Sequence, residues 1–208
     1  MRFAVLDFET TGNQPDDQII QVGLVLVENN KVTNTYTSYI HASKTIPAFV
    51  SEFTGITNSQ LSEAPELDEV ISEMLPFLDQ SILVAHQASF DLGFLQRALD
   101  ECGYGYFNGR CIDTIDLLKL TFPGLASMQL SFAASELGIE HERPHQADSD
   151  ALVTAQLLLK CLEQLNDLPL LTLQRMEQQL EHGNAAVADL AWLIRVEAFQ
   201  GGGDPGAG

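Results

Sequence analysis

Asp7 and Glu9 stand two residues apart at the end of the apolar run Arg2 to Phe8. Successive strand side chains alternate faces, so in a strand these two carboxylates share one face and Phe8 takes the other. Paired acids at the end of a buried strand repel each other and lose hydration, and a divalent cation between them turns that cost into binding. Thr10-Thr11-Gly12 follows as a turn with backbone donors. The plainer reading is a solvated pair at a strand end. A second acid, Asp91, closes the segment His86-Gln87-Ala88-Ser89-Phe90-Asp91, where a strand gives way to a helix. Ser89 is placed to cap that helix, and Asp91 falls in its first turn, where the helix dipole favours a carboxylate. His86 suits a hydrogen-bonded packing role and Phe90 a core position. The third group is Arg143-Pro144-His145-Gln146-Ala147-Asp148-Ser149-Asp150. Asp148 and Asp150 open a long helix, again as dipole-favoured acids. Five helical residues span about 500°, so His145 and Asp150 converge only with His145 in the preceding loop. Periodicity leaves the two acids undecided: Asp150 shares a stripe with Ala147, Thr154 and Leu158, and Asp148 shares one with Leu152, Ala155 and Leu159.

These groups need elements to hold them. Strands are predicted over Arg2–Phe8, Ile19–Val27 and Val32–Ile40, with a hairpin turn at Glu28-Asn29-Asn30-Lys31. Pro47 to Leu61 mixes Pro, Gly and Thr and predicts short helical turns. Leu67, Val70, Ile71, Met74 and Leu75 recur at helical spacing. Ile82–Ala85 is a fourth strand, followed by a helix that ends at Gly103. Arg110–Ile112 is a fifth strand, before helices over Thr114–Leu120, Gln129–Leu137 (stopped by Gly138) and Ala147–Leu165. Asp113 and Asp116 read as helix-start caps, and His141, between Glu140 and Glu142, as a solvent-exposed loop residue. A three-stranded meander followed by strands alternating with helices predicts an α/β fold, a five-stranded mixed sheet flanked by helices. Residues 1–166 form the main domain. Residues 167–200 predict two amphipathic helices around Gly183-Asn184, with Trp192 on the second. Residues 201–208 predict a flexible Gly-rich tail.

Composition narrows the function. The 208 residues are 45% apolar, enough for a real core. Ten basic residues against 29 acidic give a net charge of −19. A binder that neutralises long nucleic acid with clustered Lys and Arg is excluded, whereas a site that reaches phosphate through bound cations is not. No apolar run spans a bilayer, and the N-terminal residues, rich in carboxylates, do not form a signal peptide. Cys102, Cys111 and Cys161 form no CxxC pair, which fits a reducing cytoplasm and neither a disulfide framework nor a zinc site.

Together the three groups resemble the DEDD superfamily of 3′–5′ exonucleases, in its His-containing, DnaQ-like or DEDDh branch. The resemblance rests on Asp7, Glu9, Asp91, His145 and Asp150 and runs from about Met1 to Glu163. It selects Asp150 over Asp148, because the family places its acid five residues after the His. It implies a ribonuclease H-like fold. It also implies two divalent ions, Mg²⁺ or Mn²⁺, about 4 Å apart. Asp7, Glu9, Asp91 and Asp150 are the implied ligands, and His145 is the implied general base for the attacking water. Imidazole as a side-chain type titrates near neutrality, which suits that task. The implied product is a 5′-nucleoside monophosphate from a 3′ end. Thr10-Thr11-Gly12-Asn13-Gln14, Phe53-Thr54-Gly55-Ile56-Thr57 and Leu168 to Leu173 extend the similarity to the N-terminal exonuclease domain of DinG-type proteins. Those proteins continue into a helicase-like region. This sequence contains no GxxxxGK[ST] phosphate loop.

With so acidic a chain, the expected contacts are to a few terminal nucleotides of single-stranded DNA. Backbone NH groups near Thr10 and Thr11 would contribute, as would apolar contacts from Phe53 and Ile56. Those two residues otherwise read as the core of a short helix. An RNA-trimming enzyme of the same fold, and a non-catalytic module whose last helices bind a partner, are the competing expectations.

Overall fold

The computed structural model describes residues 1–14, 16–180 and 185–201. Its centre is a five-stranded sheet of β1 (Arg2–Thr10), β2 (Ile19–Glu28), β3 (Lys31–Tyr39), β4 (Ile82–Ala85) and β5 (Cys111–Asp113), in the order β3-β2-β1-β4-β5. The first three strands are antiparallel, and β4 and β5 run parallel to β1. This is the mixed sheet expected from the sequence. The β2–β3 hairpin turns on Asn29 and Asn30, whose φ values of 51° and 58° suit asparagine in a two-residue turn.

Alternation along the strands makes two cores. Phe3 and Val5 of β1 join Val25 and Val27 of β2 on one face. That face is covered by α5 (Thr114–Thr121), α6 (Leu130–Glu136) and the long α7 (Ala147–Asn166). Ala4, Leu6 and Phe8 join Val22 and Leu24 on the other, under α3 (Leu67–Leu78) and α4 (Ala88–Glu101). Asp7 and Glu9 continue the first series, so they point to the α7 side. Register slips at Glu9/Thr10, where β2 carries an extra residue. The bulge sends Ile20 away from Ile19 and Val22, into a small third core. That core lies beneath α1 (Ala48–Thr54) and α2 (Asn58–Ser62).

The last two described helices, α8 (Leu170–Leu180) and α9 (Ala185–Gly201), pack on the α7 side through Leu173, Leu190, Leu193 and Ile194. Leu170 and Leu171 remain exposed. Helix α9 also covers the free edge of β5. The Asp189 carboxylate accepts the Cys111 NH at 3.0 Å and pairs with Arg110 at 2.7 Å, while the Arg110 guanidinium lies over the Trp192 ring. An open edge is a template for unwanted pairing, and here a carboxylate and a helix close it. The predicted Gly183-Asn184 turn lies outside the described residues, as does the predicted tail beyond Gly201.

Among the described residues, Arg2, Lys44, Arg110, Lys119, Arg143 and Arg195 lie in ion pairs with Asp or Glu. No helix among the described residues is long and apolar enough to cross a membrane.

Candidate active site

Strand β1 outruns its parallel neighbour. β4 pairs only with Phe3 to Val5 and ends at Ala85, so the far half of β1 has no partner on that side. The Phe8 NH that faces this gap is taken by Asp91, whose Oδ1 accepts it at 3.0 Å. Asp91 is buried in the first turn of α4, and burial pushes its carboxyl up to about 7 despite that hydrogen bond. Ser89, expected from the sequence to cap the start of α4, does not do so. Gln87, at φ 69°, occupies the cap position, and the caps come from outside: the Asp113 carboxylate accepts the NH groups of Gln87 and Ala88. Asp113 also caps α5 through the Ile115 NH. His86 packs as expected, between the Thr114 hydroxyl and the Met128 carbonyl, and burial lowers its pKa.

Helix α7 brings the remaining acid. Asp7, Glu9 and Asp150 each offer a carboxylate oxygen, and these atoms lie within 4.8 Å of one another. The crowding is electrostatically unfavourable. Burial, and then Asp91, Asp150 and Glu9, push the Asp7 carboxyl well above the usual range. Burial, and then Asp150 and Asp91, push Glu9 up to about 8. Such a cluster of hard oxygen donors fits a Mg²⁺- or Mn²⁺-type ion, which would neutralise the repulsion. Asp148, the rival acid, is directed elsewhere, to Arg143 at 2.6 Å.

Two residues not singled out from the sequence let α7 approach so closely. Gly23 pairs with Asp7 across the sheet, and a Cβ there would fall 2.0 Å from the Ala147 carbonyl oxygen. Gln21 pairs with Glu9, and its buried side-chain oxygen accepts the Ala147 NH at 3.1 Å, capping the first turn of α7. The available signal was their intrusion, one polar and one without a side chain, into an apolar strand.

His145 precedes the helix in the loop, as predicted, with φ at 65°. Its ring stacks on Phe53, centroids 3.6 Å apart, and its NH points at Asp150 Oδ2 at 3.4 Å. Phe53 is 62% exposed on α1. Ile56 is 0% exposed and belongs to the third core, so it has no surface to offer a nucleotide. Its expected contact role is corrected here: the turn after Gly55 directs it inward. The expected backbone donor at Thr11 is also corrected, because its NH already binds the Gln18 carbonyl. The Thr11 hydroxyl donates to Asp17, and that of Thr10 donates to the Gly12 carbonyl. Asp17 is therefore a turn residue, its carboxyl held low by the Thr11 hydroxyl and the Gln14 NH.

His141 differs most from expectation. Its side chain is only 6% exposed, and its Nε2 lies 2.7 Å from Asp150 Oδ1. The chain reverses at Gly138, whose φ of 72° ends α6, and the Ile139 NH binds back to Ala134. That reversal returns His141 to the foot of α7. Neighbouring charge in the sequence concealed a contact that only the fold creates.

Comparison with known proteins agrees with this geometry. A family model described as an exonuclease, of RNase T type, matches residues 4–158. The 3′-5′ exonuclease DinG of Bacillus subtilis (strain 168) is 38% identical over 195 residues, covering 93% of this chain and 21% of that protein. The protein of the same name from Staphylococcus aureus (strain USA300) is 40% identical over 175 residues, covering 84% of this chain and 20% of that protein. The chain thus spans about a fifth of the length of these curated relatives. Among solved structures, the nuclease domain of 3′hExo, a DEDDh family member bound to rAMP, superposes with a TM-score of 0.67 at 21% identity, over 78% of this chain and 92% of that one. The complex of E. coli ExoI with ssDNA gives 0.72 at 16% identity, over 85% and 43%. At such identities these likenesses speak for the ribonuclease H-like fold. The family match over residues 4–158 carries the conclusion: the chain belongs to the exonuclease family.

Proposed function

We propose that the chain removes nucleotides one at a time from the 3′ ends of single-stranded DNA, releasing 5′-nucleoside monophosphates with the help of two divalent ions, Mg²⁺ or Mn²⁺. The observation that carries this reading is the convergence of Asp7, Glu9 and Asp150 from a strand and a helix onto one point. Such ions, when bound, supply charge neutralisation at the scissile phosphate and acidify water. Asp7, Glu9 and Asp150 would hold them directly, and Asp91, at the start of α4 with Oδ1 on the Phe8 NH, would contribute alongside β1. His145 takes the proton of the attacking water as general base. Phe53 offers an exposed ring on which a terminal base can stack. With several of its cations engaged in ion pairs, the chain grips only a few nucleotides. A longer grip comes from a partner or from a helicase-like region of a longer protein.

The test is digestion of a 5′-labelled DNA oligonucleotide. A ladder shortening from the 3′ end, dependent on Mg²⁺ or Mn²⁺ and abolished in EDTA and in Asp7→Ala, is expected. Internal cuts, or full activity in chelator, would overturn the reading. A matched RNA oligonucleotide, digested alongside, tests the sugar preference; faster cleavage of RNA would make the chain an RNA-trimming enzyme.

A further inference from the structure

We propose that His141 is a positioning residue for the Asp150 carboxylate, acting through a Ser131–His141–Asp150 relay behind the acidic cluster. This inference rests on the metal-dependent reading of the site and adds a residue to it.

The geometry is specific. His141 Nε2 lies 2.7 Å from Asp150 Oδ1, and its Nδ1 lies 2.9 Å from the Ser131 hydroxyl. A neutral imidazole donates from one nitrogen and accepts at the other. An ionised carboxylate only accepts, so Nε2 carries the hydrogen toward Asp150. Nδ1 is then the acceptor, and the Ser131 hydroxyl is its donor. The carboxylate thereby fixes the tautomer, and the serine hydroxyl, able to donate or accept, completes the hydrogen bonding of the ring. Ser131 sits on α6, Asp150 on α7, and His141 on the loop joining them, so the relay braces the foot of α7 from behind.

Asp150 needs such a brace. It faces Asp7 and Glu9, and repulsion from them would rotate a free carboxylate away. A hydrogen bond to one oxygen fixes the carboxylate plane. Asp150 Oδ2 in turn receives the His145 NH at 3.4 Å, so fixing Asp150 also steadies the loop that carries the proposed base. Arg143, the nearest cation in that loop, is engaged by Asp148 and Gln146 and does not do this work. Partners of this kind, which orient metal ligands without touching the metal, typically change metal affinity or activity by about 10–100-fold when removed.

The experiment is a calorimetric titration with Mn²⁺ of wild type, His141→Ala, His141→Gln, Ser131→Ala and Asp7→Ala, with single-turnover rates at low and saturating Mn²⁺. His141→Ala is expected to weaken Mn²⁺ binding by about 10–100-fold, and to recover much of its rate at saturating Mn²⁺. His141→Gln, which keeps a donor, should lie between it and wild type. Ser131→Ala should move in the same direction by less. A purely structural role predicts instead a lower melting temperature in chelator with unchanged Mn²⁺ affinity, and that outcome in His141→Ala would overturn the proposal. If His141→Ala does not fold, unchanged affinity in both His141→Gln and Ser131→Ala would overturn it. Failure of wild type to bind Mn²⁺, or binding that survives Asp7→Ala, would instead sink the metal-site reading itself.

Discussion

Glu9 is held as an acid that ionises at about 8, far above an unfolded glutamate. Asp7 and Asp91 are shifted in the same direction, Asp91 to about 7. Between roughly pH 4 and 8 these carboxyls therefore hold more protons in the native chain than in the unfolded one, so their contribution to stability falls as pH rises. The contribution is whole below the unfolded pKa and is lost as pH climbs through the folded one. In EDTA the melting temperature should drop from pH 5.5 to 8.5, and each ~1 kcal/mol lost lowers it by about 2–4 °C in a chain of this size. Glu9→Gln should flatten that slope, and Mn²⁺ should restore stability most at the alkaline end. Equal slopes in wild type and Glu9→Gln would show that the site does not carry the strain. Phe53 and His145 separate in the same way. Phe53→Ala removes an exposed ring and should leave stability within about 0.5 kcal/mol, while raising KM. His145→Ala should lower kcat by about 10²–10⁴-fold. Steady-state kinetics with a short oligonucleotide distinguish the two.

At the level of elements, the approach of α7 to β2 decides whether Asp150 reaches Asp7. Gly23→Ala places a methyl group within the Ala147 backbone, where only movement of the helix relieves the clash. The expected cost is about 1–3 kcal/mol, as for other overpacked sites. Activity and Mn²⁺ affinity should fall together as the acids separate, read by thermal melts and titration. Unchanged Mn²⁺ binding would mean that the helix tolerates the shift. The same contact shows what was legible beforehand. The alternation of Leu6, Asp7, Phe8 and Glu9 was enough to place both acids on one face, and the apolar stripes located every strand and most helix limits. The inward turn of Ile56 was not legible, nor was the burial of His141. Ile56 follows a glycine at φ 74°, which redirects the chain within one residue. His141 meets Asp150 and Ser131 only because α6 and α7 fold back on each other. Periodicity describes a single element and is silent on how loops return.

On the scale of the whole molecule, α8 and α9 are part of the packed body. Ending the chain near Asn166 uncovers Leu165, Leu193's neighbours and the edge of β5 that Asp189 caps. The shortened protein should melt lower and aggregate, as followed by light scattering and thermal melts. A stable, active monomer would show the helices to be dispensable. The distribution of charge has a separate consequence, which concerns encounter rather than grip. With several cations engaged in ion pairs, the chain meets an oligonucleotide as one polyanion meets another. Their repulsion reaches about 30 Å at 0.01 M salt and about 10 Å at 0.1 M. Adding monovalent salt over that range, at constant divalent ion, should therefore raise kcat/KM, whereas a protein with a basic groove slows down. A rate that falls with salt would reveal a cationic path to the site, and a rate that rises would mean that the ionic atmosphere itself admits the substrate.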